Sequence, residues 1–324
     1  MKKLICIFLA LLFLAGCGAR TAEEPEEELI VVGVCQVGAE SDWRVANTES
    51  MKAVFTETGG YRLLFDDAKQ KQENQISAVR KFIQQQVDYI VVMPISEVGW
   101  TGVLQEAKEA GIPVILVDRM VEVEDDSLFA AWVGADFRAE GERAVQWMEQ
   151  NYADAETVNI IHIQGTLGST AQLGRTAALE EAVEKHESWQ ILAQLDGDFT
   201  QAKTHEILGQ YLAEQTQRPQ IDVVYCENDN EAFGAIQILE EHGYTCGPNG
   251  VAVISFDATY HALELCRDGK IAFVGECNPL LGEMAASVIQ TIESGGSAQK
   301  YQYVQEQGFT KTDITDELLQ SRQY

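Results

Sequence analysis

Carboxylates, guanidinia and aromatics recur at one kind of position in this 324-residue chain: directly after short runs of Val and Ile. Gln36 and the segment Glu40-Ser41-Asp42-Trp43-Arg44 follow Val31-Val32-Gly33-Val34-Cys35. Asp66-Asp67 follow one apolar run and Asp118-Arg119 another. Further on, Gln164-Gly165-Thr166, Asp198-Phe199, Glu227-Asn228, Asp257 and Glu276 repeat the arrangement, with Arg175 in the helix after Gln164. A hydroxyl donates and accepts at once, so Asp beside Arg or Asn can hold it from both sides. A sugar's C–H face packs on a ring, which Trp43 and Phe199 can supply. The candidate contacts are therefore Gln36, Trp43, Arg44, Asp67, Asp118, Arg119, Arg175, Phe199, Asn228, Asp257 and Glu276, and the chemistry is that of a polyol site.

Each residue also has a plainer reading. Asp118 and Arg119 can be a helix cap and a surface ion pair, and Asn228 an N-cap. Trp43 can staple a helix to a sheet, Phe199 can be core, and Arg175 can be exposed in mid-helix. Glu40 and Asp67 read as cap or surface groups beside the ligand. Gln72 and Asn74 read as the solvated face of a helix, and Trp100, Trp132, Trp147 and Trp189 as structural.

The elements that must position these groups alternate regularly. Strands are expected at 30–37, 62–65, 88–93 and 113–117, with helices at 43–58, 70–86 and 99–110 between them. The helix at 70–86 carries Ile76, Val79, Phe82, Ile83 and Val87 at steps of three and four. The rhythm then restarts. Helices at 137–152, 169–185, 200–215, 230–242, 260–268 and 280–294 separate strands at 158–163, 189–193, 223–226, 251–255 and 271–274. Near-continuous Val/Ile strands alternating with amphipathic helices mark parallel sheets covered on both faces. The fold class is α/β, in two doubly wound halves. In such sheets ligands sit beyond the C-terminal strand ends, where the polar residues are.

The first 28 residues differ from the rest. Lys2 and Lys3 precede an apolar run, 4–14, too short to span a bilayer. It ends in Leu14-Ala15-Gly16-Cys17, a lipobox, so 1–16 reads as a lipoprotein signal peptide and Cys17 as the lipidated residue. The acidic stretch 17–28 reads as an extended tether. The expected location is extracytoplasmic, held to the membrane by lipid alone at about 0.8 kcal/mol per buried methylene. Loss of Lys2 and Lys3 leaves 21 basic against 51 acidic residues, which disfavours nucleic acid as a partner. From Leu29 about 296 residues remain, enough for two lobes. Cys35 and Cys226 read as core residues; a bridge among Cys246, Cys266 and Cys277 stays open.

No Gly-x-Gly-x-x-Gly, P-loop or Gly-x-Ser-x-Gly elbow follows a strand. The five histidines have no metal spacing, and no calcium loop is present. The expectation is no enzyme, no cofactor and no metal.

The stretches 37–44 (Val-Gly-Ala-Glu-Ser-Asp-Trp-Arg), 70–75 (Gln-Lys-Gln-Glu-Asn-Gln), Val117-Asp118-Arg119, Gln164-Gly165-Thr166, Gly197-Asp198-Phe199-Thr200 and Asn228-Asp229 together resemble the type I periplasmic sugar-binding proteins of ABC importers, most nearly their galactofuranose-binding branch. The likeness runs from about Leu29 to the C-terminus. It implies two lobes, 29–134 with 278–303 and 135–277 with 304–324, joined by a three-segment hinge. It implies stacking by Trp43, contacts from Asp118 and Arg119 in the first lobe, and contacts from Arg175, Phe199, Asn228, Asp257 and Glu276 in the second lobe or hinge. It further implies a monosaccharide ligand, a membrane permease as partner and a monomer. Asp42 stands where the family has Gly, and Phe256-Asp257-Ala258 and Glu227-Asn228-Asp229 also depart from its pattern. Two rival readings are a sugar sensor feeding a histidine kinase or chemoreceptor, and a lipoprotein glycosidase.

Overall fold

The computed structural model describes residues 28–324; the signal peptide, Cys17 and nearly all of the tether lie outside them. Two six-stranded sheets carry the chain. The first holds β1 (Ile30–Gln36), β2 (Tyr61–Asp67), β3 (Tyr89–Val92), β4 (Val114–Val117), β5 (Ala131–Gly134) and β11 (Tyr301–Tyr303), in the order β11-β5-β4-β3-β1-β2 and parallel throughout. The second holds β6 (Val158–Gln164), β7 (Trp189–Asp196), β8 (Val223–Cys226), β9 (Ala252–Asp257), β10 (Phe273–Glu276) and β12 (Gly308–Phe309), in the order β12-β10-β9-β8-β6-β7. Only β12 runs antiparallel, on β10. The two sheets therefore repeat one strand order.

Helices α1 (Asp42–Val54), α2 (Gln72–Gln84), α3 (Thr101–Glu109) and α9 (Gly282–Glu293) belong with the first sheet. Helices α4 (Phe137–Tyr152), α5 (Thr170–Lys185), α6 (Gln201–Glu214), α7 (Asp229–Glu241), α8 (Tyr260–Asp268) and α10 (Asp316–Ser321) belong with the second. The chain crosses between lobes three times: from β5 into α4, from β10 into α9, and from β11 into β12. Each sheet is sandwiched by two apolar layers. Close packing has required Gly33, where a Cβ would stand 2.6 Å from the Phe82 ring. A fifth, small cluster of Trp43, Ala135, Phe137, Ala171, Phe199 and Cys277 joins the lobes.

Several expected boundaries shift for local reasons. The helix expected at 43–58 ends at Val54, and Thr56 starts a separate 3-10 turn that closes on Gly60 in the left-handed region. The helix expected at 70–86 begins only at Gln72, because Lys69 and Gln70 both have positive φ. Strands β5, β11 and β12 and helix α10 are additions to the sequence reading. Among the described residues no disulfide forms: all five cysteines are free and buried. Cys266 lies on α8, Cys246 beside its bridge to Val251, and Cys277 on the second crossing.

Candidate functional site

The strand ends converge on the seam between the lobes. Three of them turn through the left-handed region with non-glycine residues, at Asp118 (φ 66°), Phe199 (φ 58°) and Asp257 (φ 109°). Such backbone is costly for an L residue and clusters at functional positions. It aims these three side chains into a small, tightly closed cavity with about 20 Å³ of free space. Room for Phe199 comes from Gly165, whose Cβ would stand 2.0 Å from the ring.

The first lobe supplies a closed ion network. Ser41 caps α1 by accepting from the Arg44 N–H at 3.2 Å, which sets Trp43 and Arg44 in its first turn. Arg44 donates through Nε to Glu40 Oε1 at 2.9 Å and through Nη2 to Asp118 Oδ2 at 2.7 Å. Behind it, Gln36 Oε1 accepts from Nη1 at 3.3 Å. Arg119 donates to the Ile95 carbonyl at 3.0 Å and lies 3.7 Å from Glu40 and 3.9 Å from Asp118. Burial, and then the charge of Arg44, pull its guanidinium down to about 10. Two cations thus share two carboxylates in a buried place.

The second lobe is built around Arg175. It donates to Glu140 Oε2 at 2.7 Å and to the Glu227 carbonyl, and lies 3.9 Å from Asp257 Oδ1. Burial first, and Asp229 second, raise the Asp257 carboxyl well above its usual range, with Arg175 opposing. Asn228 caps α7 by accepting from the Glu231 N–H at 2.8 Å while donating to the Phe199 carbonyl at 3.1 Å.

The lobes touch directly. Trp43 Nε1 donates to the Cys277 carbonyl at 2.7 Å, and Met120 N–H to Thr170 Oγ1 at 3.0 Å. Asp42 N–H donates to Asn230 Oδ1 at 3.0 Å, and Asn230 Nδ2 to Asp42 Oδ2 at 3.3 Å. The Arg119 guanidinium lies 5.1 Å over the Phe199 ring, from the other lobe. Trp43, Arg44, Asp118, Arg119, Arg175, Phe199, Asn228 and Asp257 are all at most 4% exposed. The cavity is therefore shut.

Of the eleven residues expected at the site, those eight line the cavity. Gln36 is fully buried one layer behind, holding Arg44 and Asn47. Asp67 is exposed and caps the loop through Lys69 N–H at 2.8 Å. Glu276 pairs at 2.9 Å with Arg322 from the chain end. Glu40, Ser41, Phe137, Ala171 and Cys277 complete the lining. Glu40 is the informative addition: its side chain is 1% exposed, and its position four residues before Arg44 was the available signal. Two lining oxygens have no donor among the described residues, Glu40 Oε2 on one wall and Asp257 Oδ2 on the other. No three-ligand metal cluster among the described residues involves them.

A two-lobed α/β molecule with a shut, polar, aromatic-sided chamber at its hinge is a solute receptor of the clamshell class. The comparisons agree, and the chain belongs to the periplasmic binding protein family: a periplasmic binding protein domain model matches residues 32–297. The galactofuranose-binding protein YtfQ of Escherichia coli (strain K12) is 34% identical over 268 residues, 83% of each chain. The periplasmic binding component of the arabinose ABC transporter from Shewanella sp. ANA-3, solved with α- and β-L-arabinofuranose, matches at TM-score 0.83 and 36% identity, over 90% of this chain and 95% of that one. A Mycobacterium smegmatis protein in complex with β-D-fucofuranose matches at TM-score 0.82 and 38% identity, over 87% and 92%. YtfQ and the Shewanella protein are both named as binding proteins. Among the described residues no helix is long and apolar enough to cross a membrane.

Proposed function

We propose that this protein captures a monosaccharide in its five-membered furanose form and delivers it to the membrane permease of an ABC importer. The observation that carries the reading is the pair of buried carboxylate oxygens, Glu40 Oε2 and Asp257 Oδ2, left without donors on opposite walls of one small chamber. A buried acceptor without a donor costs about 1–3 kcal/mol, so a ligand that presents hydroxyls to both walls relieves both at once. Trp43 and Phe137 offer rings for its C–H surface, and Arg44, Arg119, Arg175 and Asn228 offer N–H donors. Gln36 acts through Arg44. Because the ligand meets both walls only when the lobes close, it favours the closed form. Closure then displays a composite face of both lobes for the permease.

The assignment of 29–134 with 278–303 to one moving body and 135–277 with 304–324 to the other belongs to the same reading. So do a monomeric state, signal cleavage before Cys17 and lipid attachment there, outside the cytoplasm. The test is a thermal-shift and calorimetry panel of arabinose, galactose, fucose, ribose and fructose, with product analysis. A ligand at a hundred times its Kd adds about 2.7 kcal/mol of stability. Binding of sugars rich in furanose form, without turnover, supports the reading. Silence across the panel sinks it, and release of product from an aryl furanoside replaces it with a glycosidase.

A further inference from the structure

The three crossings between the lobes meet in one buried cluster. The first opens α4, whose first turn carries the fully buried Glu140. Cys277 lies on the second, and Glu306 on the third, between β11 and β12. One side-chain donor atom from each lies within 4.8 Å of the others. Glu140 Oε2 is occupied by Arg175, while Oε1 has no donor among the described residues. Glu306 Oε1 accepts from the Asn278 N–H at 2.8 Å. The two carboxyl groups stand side by side, with an oxygen of each within 4.8 Å of the other. Two carboxylates this close in a buried place repel if both are ionised, which favours one proton on the pair.

The groups facing the pair come from every side: Arg143 on α4, Arg175 on α5, Tyr225 on β8, Asp257 at the end of β9, and Cys277 on the second crossing. One guanidinium, Arg175, is in direct contact with Glu140. Burial, and then the charge of Glu140, push Glu306 up to about 9; burial raises Glu140 too, with Arg175 opposing.

We propose that Glu140 and Glu306 share one proton while the lobes are closed and release it when the hinge turns and water reaches them, so that closure is linked to pH. The link to ligand capture rests on the sugar-binding reading above. The closed form holds the proton more tightly than a solvated carboxyl, which ionises near ~4.3. The contribution to closure is therefore complete below that range and is lost as pH rises toward about 9. Within this window the Kd rises by up to about tenfold per pH unit. The same three donors also suit a divalent ion, but Arg175 already places a positive charge on Glu140.

The experiment is calorimetry of the mature protein with L-arabinose near neutral pH, in two buffers of different ionisation heat. About one proton is expected to be taken up per sugar bound, and none by Glu306→Gln, which keeps the shape without the ionisation. Uptake that persists in Glu306→Gln assigns the proton elsewhere, with Asp257 foremost, and overturns the proposal. So does stoichiometric zinc held by the wild type and lost in that variant. A sugar-free arm separates this inference from the sugar reading. Small-angle scattering should show the wild type opening as pH rises from about 6 to about 9, and Glu306→Gln opening less. An identical response in both overturns the proposal whether or not arabinose binds.

Discussion

The two lobes repeat one strand order yet bury charge by opposite means. In the first, Arg44 and Arg119 face Glu40 and Asp118, cation for anion, with every contact at or under 4 Å. In the second, Arg175 contacts Glu140 and lies near Asp257, Arg143 also faces Glu140, and Asp229, Glu231 and Glu306 lie close behind, the carboxyls all raised by burial. Pairing offsets burial in the first case; in the second, burial raises the carboxyls and Arg175 opposes it. The lesson is that fold symmetry fixes where strand-end residues stand, not how their charge is neutralised. An ion quartet keeps its form across ordinary pH, whereas an acid-rich wall responds to it.

The largest effect that tests this contrast is removal of Arg175, the guanidinium in contact with Glu140. Arg175→Met should destabilise the protein by about 3–5 kcal/mol, since Glu140 then loses its buried partner; urea unfolding reads it. A cost under about 1 kcal/mol would show that the second wall is already neutral and that Arg175 is dispensable there. Next comes the quartet. Asp118→Ala leaves Arg44 and Arg119 sharing one carboxylate, and sugar affinity should fall by about 1–3 kcal/mol. Calorimetry showing unchanged affinity would remove Asp118 from the contacts. Smaller again is the inter-lobe pair Asp42–Asn230. Asn230→Ala should speed sugar release by a few-fold, the equivalent of about 1 kcal/mol, with little change in association; stopped-flow fluorescence of Trp43 would follow it. Asp67→Asn, at an exposed loop, should leave both affinity and stability within about 0.5 kcal/mol of the wild type.

Much of this was legible in the sequence because long elements with strong periodicity report themselves. Helix α4 and strand β8 fall where their patterns put them. Strands β11 and β12 did not, since Tyr-Gln-Tyr and Gly-Phe are too short to show a period and become strands only through the neighbour each pairs with. At the site the limit was one residue of register. Glu276 ends β10 and Cys277 follows it, but successive side chains point to opposite sides, so Cys277 meets the cavity while Glu276 meets Arg322. Asp67 misled for another reason. Its counterparts after β7, Asp198 and Phe199, turn toward the seam, whereas Lys69 and Gln70 adopt the same left-handed pair and end on α2 at the outer edge. Glu40 read as a surface group because the two guanidinia that bury it arrive from α1 and from the end of β4.

The order of the crossings also bears on how the chain is made. Helix α9 packs on α1, and β11 completes the sheet beside β5, yet both lie beyond the whole of the second lobe's β6–β10. The first lobe to leave the ribosome thus cannot finish its own core until Tyr303 has followed. At roughly 5–20 residues per second that is a wait on the order of ten seconds or more, during which the Met51, Tyr89 and Ile115 face that α9 later covers stays open to a chaperone.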